Sequence, residues 1–289
     1  MVNSTTATTT NGFDRGIGKS LRGMATSDGA GVKLTRVIGN ALLRRLDPFL
    51  MLDEFRSDEP QDYLAGFPDH PHRGFETVTY MIAGRFRHRD NKGHEGILAA
   101  GGAQWMTAGR GIVHSEMPEQ EEGLVHGFQL WLNLPKKDKM SAATYRDVQA
   151  EEIPHVPLGG GVVVRALAGT VGGVIGPIAG RDTEPVYFDV EIPAGATAEI
   201  PVPAGHEGFV YPFAGDVAIG NRSLARGELG VLAEGKGTAG VRLTAKSDAR
   251  VLVVAGKPIG EPVVQYGPFV MTTPEEIEQA IRDFQAGRF

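Results

Sequence analysis

The stretch Asp69-His70-Pro71-His72-Arg73-Gly74-Phe75-Glu76 decides how the chain is read, together with Gly109-Arg110-Gly111-Ile112-Val113-His114-Ser115-Glu116 further along. In an extended strand, side chains two apart leave the same face, so His70 with His72, and His114 with Glu116, each form a two-pronged claw. On facing walls of a β-barrel the two claws would join three imidazoles and one carboxylate around a metal, with coordination positions left open. An HxH pair alone is weak, because two surface imidazoles beside a proline read equally well. The second claw, on its own expected strand, carries the argument.

Composition points the same way. The chain holds 40 glycines and 18 prolines in 289 residues, more than the usual share, which favours many turns between short strands over long helices. The expected fold class is therefore all-β. A formal net charge of -6 argues against nucleic acid or an anionic membrane surface as a direct electrostatic partner. With no cysteine, disulfides, thiolate catalysis and thiolate metal sites are excluded, so a metal must be held by His and carboxylates. No leader pattern and no long apolar run is visible, and a cytoplasmic location is expected.

Working outward, residues 1–12 are polar and of low complexity and read as a disordered tail. Short apolar runs at 32–37 and 48–55 read as strands. Phe75 to Gly84 is a strand rich in β-branched and aromatic residues that ends at a glycine, Asp90-Asn91-Lys92-Gly93 reads as a hairpin turn, and His126 to Leu134 is a strand stopped by Pro135. The division expected is a first barrel over 13–135, a charged linker over 136–157 and a second barrel over 158–289. The second half resembles a decayed copy of the first: Tyr80-Met81-Ile82-Ala83-Gly84 is echoed by Tyr211-Pro212-Phe213-Ala214-Gly215. Where the first has its HxH pair, the copy has only Ala204-Gly205-His206-Glu207, and no metal is expected there. At the end, Thr273-Pro274-Glu275-Glu276 is a capping box with proline at the first helical position. Ile277, Ala280, Ile281 and Phe284 then fall on one helical stripe.

Other residues take plainer readings. Glu76 shares the parity of His70 and His72 and could be an alternative or supporting ligand. His88, His94, His126 and His155 read as surface or loop imidazoles. Arg73 and Arg110 could pair with Glu76, with a substrate anion or in a structural salt bridge, and Trp105, Phe75 and Met106 read as barrel core. Three imidazoles and one carboxylate suit Fe(II) best among common ions, although Mn, Ni, Cu or Zn fit the same donors.

Asp69–Tyr80 (DHPHRGFETVTY), Gln104–Pro118 (QWMTAGRGIVHSEMP), His126–Pro135 (HGFQLWLNLP) and Tyr266–Met271 (YGPFVM) resemble the pirin family, whose members are bicupins with a metal in the N-terminal barrel. The resemblance covers nearly the whole chain. It implies two cupin-type β-barrels with a short C-terminal helix, the first barrel (13–135) binding metal through His70, His72, His114 and Glu116. Against the general cupin pattern, Gly109 stands where proline is usual, and Glu116 takes the ligand role that falls elsewhere to the residue at Glu76. The resemblance also implies an Fe(II)-dependent dioxygenase of the quercetin 2,3-dioxygenase type, in which a flavonol-like aromatic loses its 3-hydroxyl proton to Glu116 and cleavage with O2 releases carbon monoxide and a depside. The alternative that it implies is a non-enzymatic, iron-dependent regulatory protein that binds a transcription factor or a metabolic enzyme.

Overall fold

A computed structural model describes residues 12–235 and 237–289. The expected disordered tail, Gly12 apart, lies outside the described residues. The described residues build two seven-stranded and two four-stranded antiparallel sheets, plus short ribbons. The first large sheet runs, in spatial order, Thr144–Val148, Ala103–Thr107, Phe75–Ala83, Val125–Asn133, Phe49–Ser57, Val32–Ile38, Met24–Asp28. The second runs Ile17–Arg22, Glu228–Leu232, Glu207–Ala214, Ala249–Gly256, Val186–Ile192, Val162–Ala168, His155–Gly159. Position by position the connectivity is the same, apart from the edge strand contributed by Ile17–Arg22 from the front of the chain. The small sheets match too: Phe67–His72, Ile112–Pro118, Arg85–Asp90, Glu95–Ala99 in the first half, and Thr197–Pro201, Gly240–Ala245, Val217–Ile219, Arg222–Leu224 in the second. The internal echo visible in the sequence is thus a duplicated barrel.

Period-two alternation decides where each face goes. Along Phe75–Ala83 and Val125–Asn133, Val78, Tyr80, Phe128, Leu130 and Leu132 join Tyr187, Phe209, Tyr211 and Leu252 of the other half in one apolar core, so the large sheets pack against each other. The opposite positions, among them Thr79, Gln129 and Trp131, line a cavity of the first barrel. In the second barrel the interior is filled by Ala198, Ile200, Val217, Ile219, Val241 and Leu243.

The stretch 136–157, expected as a linker, is built into both halves. Thr144–Val148 pairs with Ala103–Thr107, and His155–Gly159 with Val162–Ala168. Its charged composition suits sheet edges, where one row of backbone groups faces water and charged side chains deter pairing with other chains. His206, on the echoed segment, is buried and its Nε2 lies 3.0 Å from the Glu184 carbonyl.

The terminal helix spans Pro274–Gln285, with Thr273 as N-cap and the capping box to Glu276 formed. Ile277 and Ala280 bury against Phe269, Met271 and Phe289, with Val113 of the first barrel alongside. Arg73 ties this tail down: its Nη1 meets Asp283 at 2.8 Å, its Nε donates to the Arg110 carbonyl, and its guanidinium lies 4.3 Å from the Phe289 ring centre. Of the roles read for Arg73, the structural salt bridge is the one formed, and Arg73, with Arg288, holds the Asp283 carboxyl well below its usual range.

Lys139 is the second tie. Although 1% exposed, it donates to Asn133 Oδ1 at 2.6 Å, Gly74 O at 2.7 Å and Val270 O at 3.0 Å, which uses all three ammonium protons. Burial pulls its pKa down to about 8 from 10.5. Between those values the unfolded chain binds more protons than the folded one, so this group's contribution to stability rises with pH across that window. In urea unfolding at pH 8 and at pH 10.5, the stability difference between wild type and Lys139→Met should move in favour of wild type at the higher pH; a difference that does not change with pH would contradict a depressed Lys139.

Candidate metal centre

Antiparallel pairing of Ile112–Pro118 with Phe67–His72 sets His114 opposite His70 and Ile112 opposite His72. The register shifts between His114 and Glu116, which puts Glu116 opposite Phe67. His70, His72 and His114 each offer a ring nitrogen to one group whose atoms all lie within 4.8 Å of one another. The His70 and His72 Nε2 atoms are 3.0 Å apart, and the His114 ring centre lies 4.4 Å from that of His70 and 4.9 Å from that of His72.

The contacts around this group are compatible with a bound cation. His70 Nδ1 lies 2.8 Å from the Pro68 carbonyl, and an N–H committed there leaves a lone pair on Nε2. His114 Nδ1 faces His88 Nδ1 at 3.3 Å, which leaves His114 Nε2 buried with no partner, and His72 Nδ1 is likewise buried and unpartnered. Burial, and then the neighbouring imidazoles, push the pKa values of His72 and His114 well below the usual histidine range. Neutral imidazoles with converging nitrogens are what a metal requires.

Glu116 is buried beside the cluster. Thr79 Oγ1 lies 2.9 Å from its Oε1, and Gln129 Nε2 donates to its Oε2 at 3.2 Å. Desolvation raises its pKa, opposed by the charge of His70 and by these two hydrogen bonds. His70, His72, Thr79, Glu116 and Gln129 all line one cavity of about 800 Å³. Its apolar walls include Leu34, Met51, Phe55, Phe86 and Trp131, and Gln265, Gly267 and Pro268 from the terminal ribbon also line it.

Glu76 goes elsewhere. Parity with His70 and His72 is lost at Gly74, where a φ of +85° turns the chain from the small sheet into the large one. A Cβ at Gly74 would meet the Val270 carbonyl at 2.0 Å, so glycine is required twice over. Glu76 instead accepts from Thr107 Oγ1 at 2.7 Å and pairs with Arg181 at 3.1 Å in a separate crevice. Trp105, Phe75 and Met106 are fully buried, as expected.

Two of the four histidines read as surface or loop residues are buried. His126 sits 2.9 Å from Glu54 Oε1, and His88 is 2% exposed, its pKa lowered to about 4 by burial first and by His94 second. The signal for His88 was present: in Arg85-Phe86-Arg87-His88-Arg89-Asp90 the arginines alternate with Phe86 and His88, which marks those two as inward. Thr79 and Gln129 carried no such mark, because a polar residue on a strand reads as solvent-facing until the other wall is known.

A family model described as pirin matches residues 31–132, and one described as the pirin C-terminal cupin domain matches residues 187–289. The chain belongs to the pirin family. A Pseudomonas aeruginosa relative is 52% identical over 272 residues, covering 92% of this chain and 94% of its own, and its name provisionally gives it quercetin 2,3-dioxygenase activity. Homo sapiens pirin is 44% identical over 266 residues, covering 90% of this chain and 88% of its own. Among solved structures, a quercetin 2,3-dioxygenase from Acinetobacter baumannii superposes with a TM-score of 0.87 at 32% identity, covering 95% of this chain and 98% of that one. The pirin architecture of two cupin barrels and a C-terminal helix is the one expected from the sequence. Among the described residues, no helix is long and apolar enough to cross a membrane.

Because Glu76 serves the Arg181 pair, Glu76→Gln should cost about 1–3 kcal/mol of stability, the range for disturbing a buried charged hydrogen bond, and leave metal content unchanged. Thermal unfolding and elemental analysis of the same sample check both; loss of metal would return Glu76 to the ligand set.

Proposed function

We propose that this member of the pirin family is a metal-dependent dioxygenase of the quercetin 2,3-dioxygenase type acting on a flavonol-like aromatic, with His70, His72, His114 and Glu116 holding the metal in the first barrel. One observation carries the reading: three imidazoles converge beside a buried carboxylate at a cavity of about 800 Å³ that His70, His72 and Glu116 line together with aromatic and aliphatic walls. The names of the Pseudomonas and Acinetobacter relatives support the reaction class. When bound, a divalent metal, with Fe(II) the best match to this donor set and Mn, Ni, Cu or Zn as alternatives, supplies a Lewis acid and a redox partner for dioxygen. The second barrel, filled with aliphatic side chains, is assigned no metal.

The residues of the chain do the rest. Phe55, Phe86 and Trp131 receive the aromatic rings and keep bulk water from them. Glu116 is the proton acceptor for the substrate hydroxyl: desolvation biases its carboxylate toward taking a proton. A proton on Oε1 fits the surrounding contacts. Glu116 Oε1 would donate to Thr79 Oγ1, Thr79 to Gln129 Oε1 across 2.5 Å, and Gln129 Nε2 donates back to Glu116 Oε2, so three donors meet three acceptors. With Glu116 ionised, the single Thr79 hydroxyl proton must serve one of two acceptors. These contacts support Glu116 as the group that holds that proton.

Anaerobic purification with iron, followed by quercetin and O2 uptake, tests the reaction. Wild type should consume O2 and bleach the flavonol band, and Glu116→Gln should lower kcat by about 100-fold or more, in line with loss of a general base. An iron-loaded wild type that does neither excludes this substrate. Metal analysis tests the ligands separately: His70→Ala combined with His114→Ala should leave no stoichiometric metal, and metal retained in the double variant would refute the assignment.

A further inference from the structure

His88 lies on Arg85–Asp90, the strand that flanks Ile112–Pro118 on the side away from Phe67–His72, and is paired opposite Glu116. Its Nδ1 is 3.3 Å from Nδ1 of His114, and both rings are buried. Between two imidazole nitrogens, one must carry the proton and the other the lone pair. If His88 donates, the proton of a neutral His114 must sit on Nε2, the nitrogen left to face His70 and His72, and metal binding there is blocked. If His114 donates from Nδ1, its Nε2 presents a lone pair to the cluster, and the proton of His88 sits on its own Nε2. Of the two, only the second leaves His114 able to ligate a metal through Nε2. On its outer side His88 has a buried Nε2 with no hydrogen-bond partner, and its ring packs 4.7 Å from the Tyr145 ring and 5.6 Å from that of His94, which in turn lies 3.2 Å from Asp147.

We infer that His88 is a positioning residue for the metal centre: by accepting from His114 Nδ1–H it fixes the tautomer and ring plane of that ligand. The inference rests on the metal reading proposed above. Partners at the outer nitrogen of a ligating histidine commonly change metal affinity by about 10- to 100-fold when removed. Here the partner is another histidine, contributed by the neighbouring strand of the same small sheet.

The test uses Co(II) alone as the probe, with the dissociation constant measured by chelator competition and the ligand field by visible absorption. His88→Leu, which fills the space but cannot accept, should weaken Co(II) about 10- to 100-fold and shift the visible bands. His88→Gln, whose amide oxygen can accept from His114 Nδ1–H, should recover most of the affinity and the wild-type bands. Leucine binding as tightly as wild type with unchanged bands overturns the inference, and so does an equal loss in both variants, which would mean that only packing matters. A wild type that binds no Co(II) overturns the metal reading and this one together. Should the leucine variant not fold, ring 15N shifts of the metal-free wild type decide: an Nδ1–H tautomer at His114 supports the inference and an Nε2–H tautomer overturns it.

Discussion

The antiparallel register that sets His70 opposite His114 is the constraint on which the centre depends. Side chains alternate faces along a strand, so a slip of one residue would turn His70 and His72 outward and leave His114 and Glu116 without partners. The register is held from both sides. Phe67–His72 closes one flank of Ile112–Pro118 and Arg85–Asp90 the other, and the irregularity after His114 re-aims Glu116 toward Thr79 and Gln129 on the opposite sheet. Burying imidazoles and a carboxylate is costly unless each is partnered. Here the Pro68 carbonyl, His88, Thr79 and Gln129 partner three of the four groups, while a nitrogen of His72 and one of His114 have no protein partner.

The duplicated barrel shows how little the topology itself requires the centre. The two halves share strand order almost element for element, yet the strands of the second half that correspond to the two claws, Thr197–Pro201 and Gly240–Ala245, send Ala198, Ile200, Val241 and Leu243 inward. One interior is packed with aliphatic side chains and the other holds a lined cavity. The tyrosines of the internal repeat tie the halves together across their shared core: Tyr80 donates to Asp189 at 2.6 Å and Tyr211 to Glu54 at 2.5 Å. Each tyrosine reaches a carboxylate on a strand of the opposite half, and the two carboxylate strands hold the same place in their sheets.

The terminal segment returns to the first barrel. Gln265, Gly267 and Pro268 line the cavity, Lys139 grips the Val270 carbonyl, and Arg73, next to the first claw, is locked by Asp283 and Phe289. The cavity is therefore formed by both ends of the chain. The first half supplies the imidazoles and the carboxylate, and the last residues complete part of the wall around them.

Much of this was legible in the sequence because it depends on local periodicity. Spacing of two residues paired the claws, glycine and proline marked the strand ends, and the capping box with its apolar stripe placed the terminal helix. What the sequence could not settle depended on which wall stands opposite. Glu76 has the right parity, but the turn at Gly74 carries it into another sheet and to Arg181. His88, Thr79 and Gln129 became members of the centre only when the barrel closed, since a polar side chain on a strand has no assigned role until the facing strand is known. Likewise the stretch 136–157 has the charge of a linker and the position of two sheet edges, because edge strands tolerate the polar residues that a central strand cannot. Short-range spacing thus determined the elements and the principal ligand candidates, and long-range strand pairing alone decided which side chains surround them.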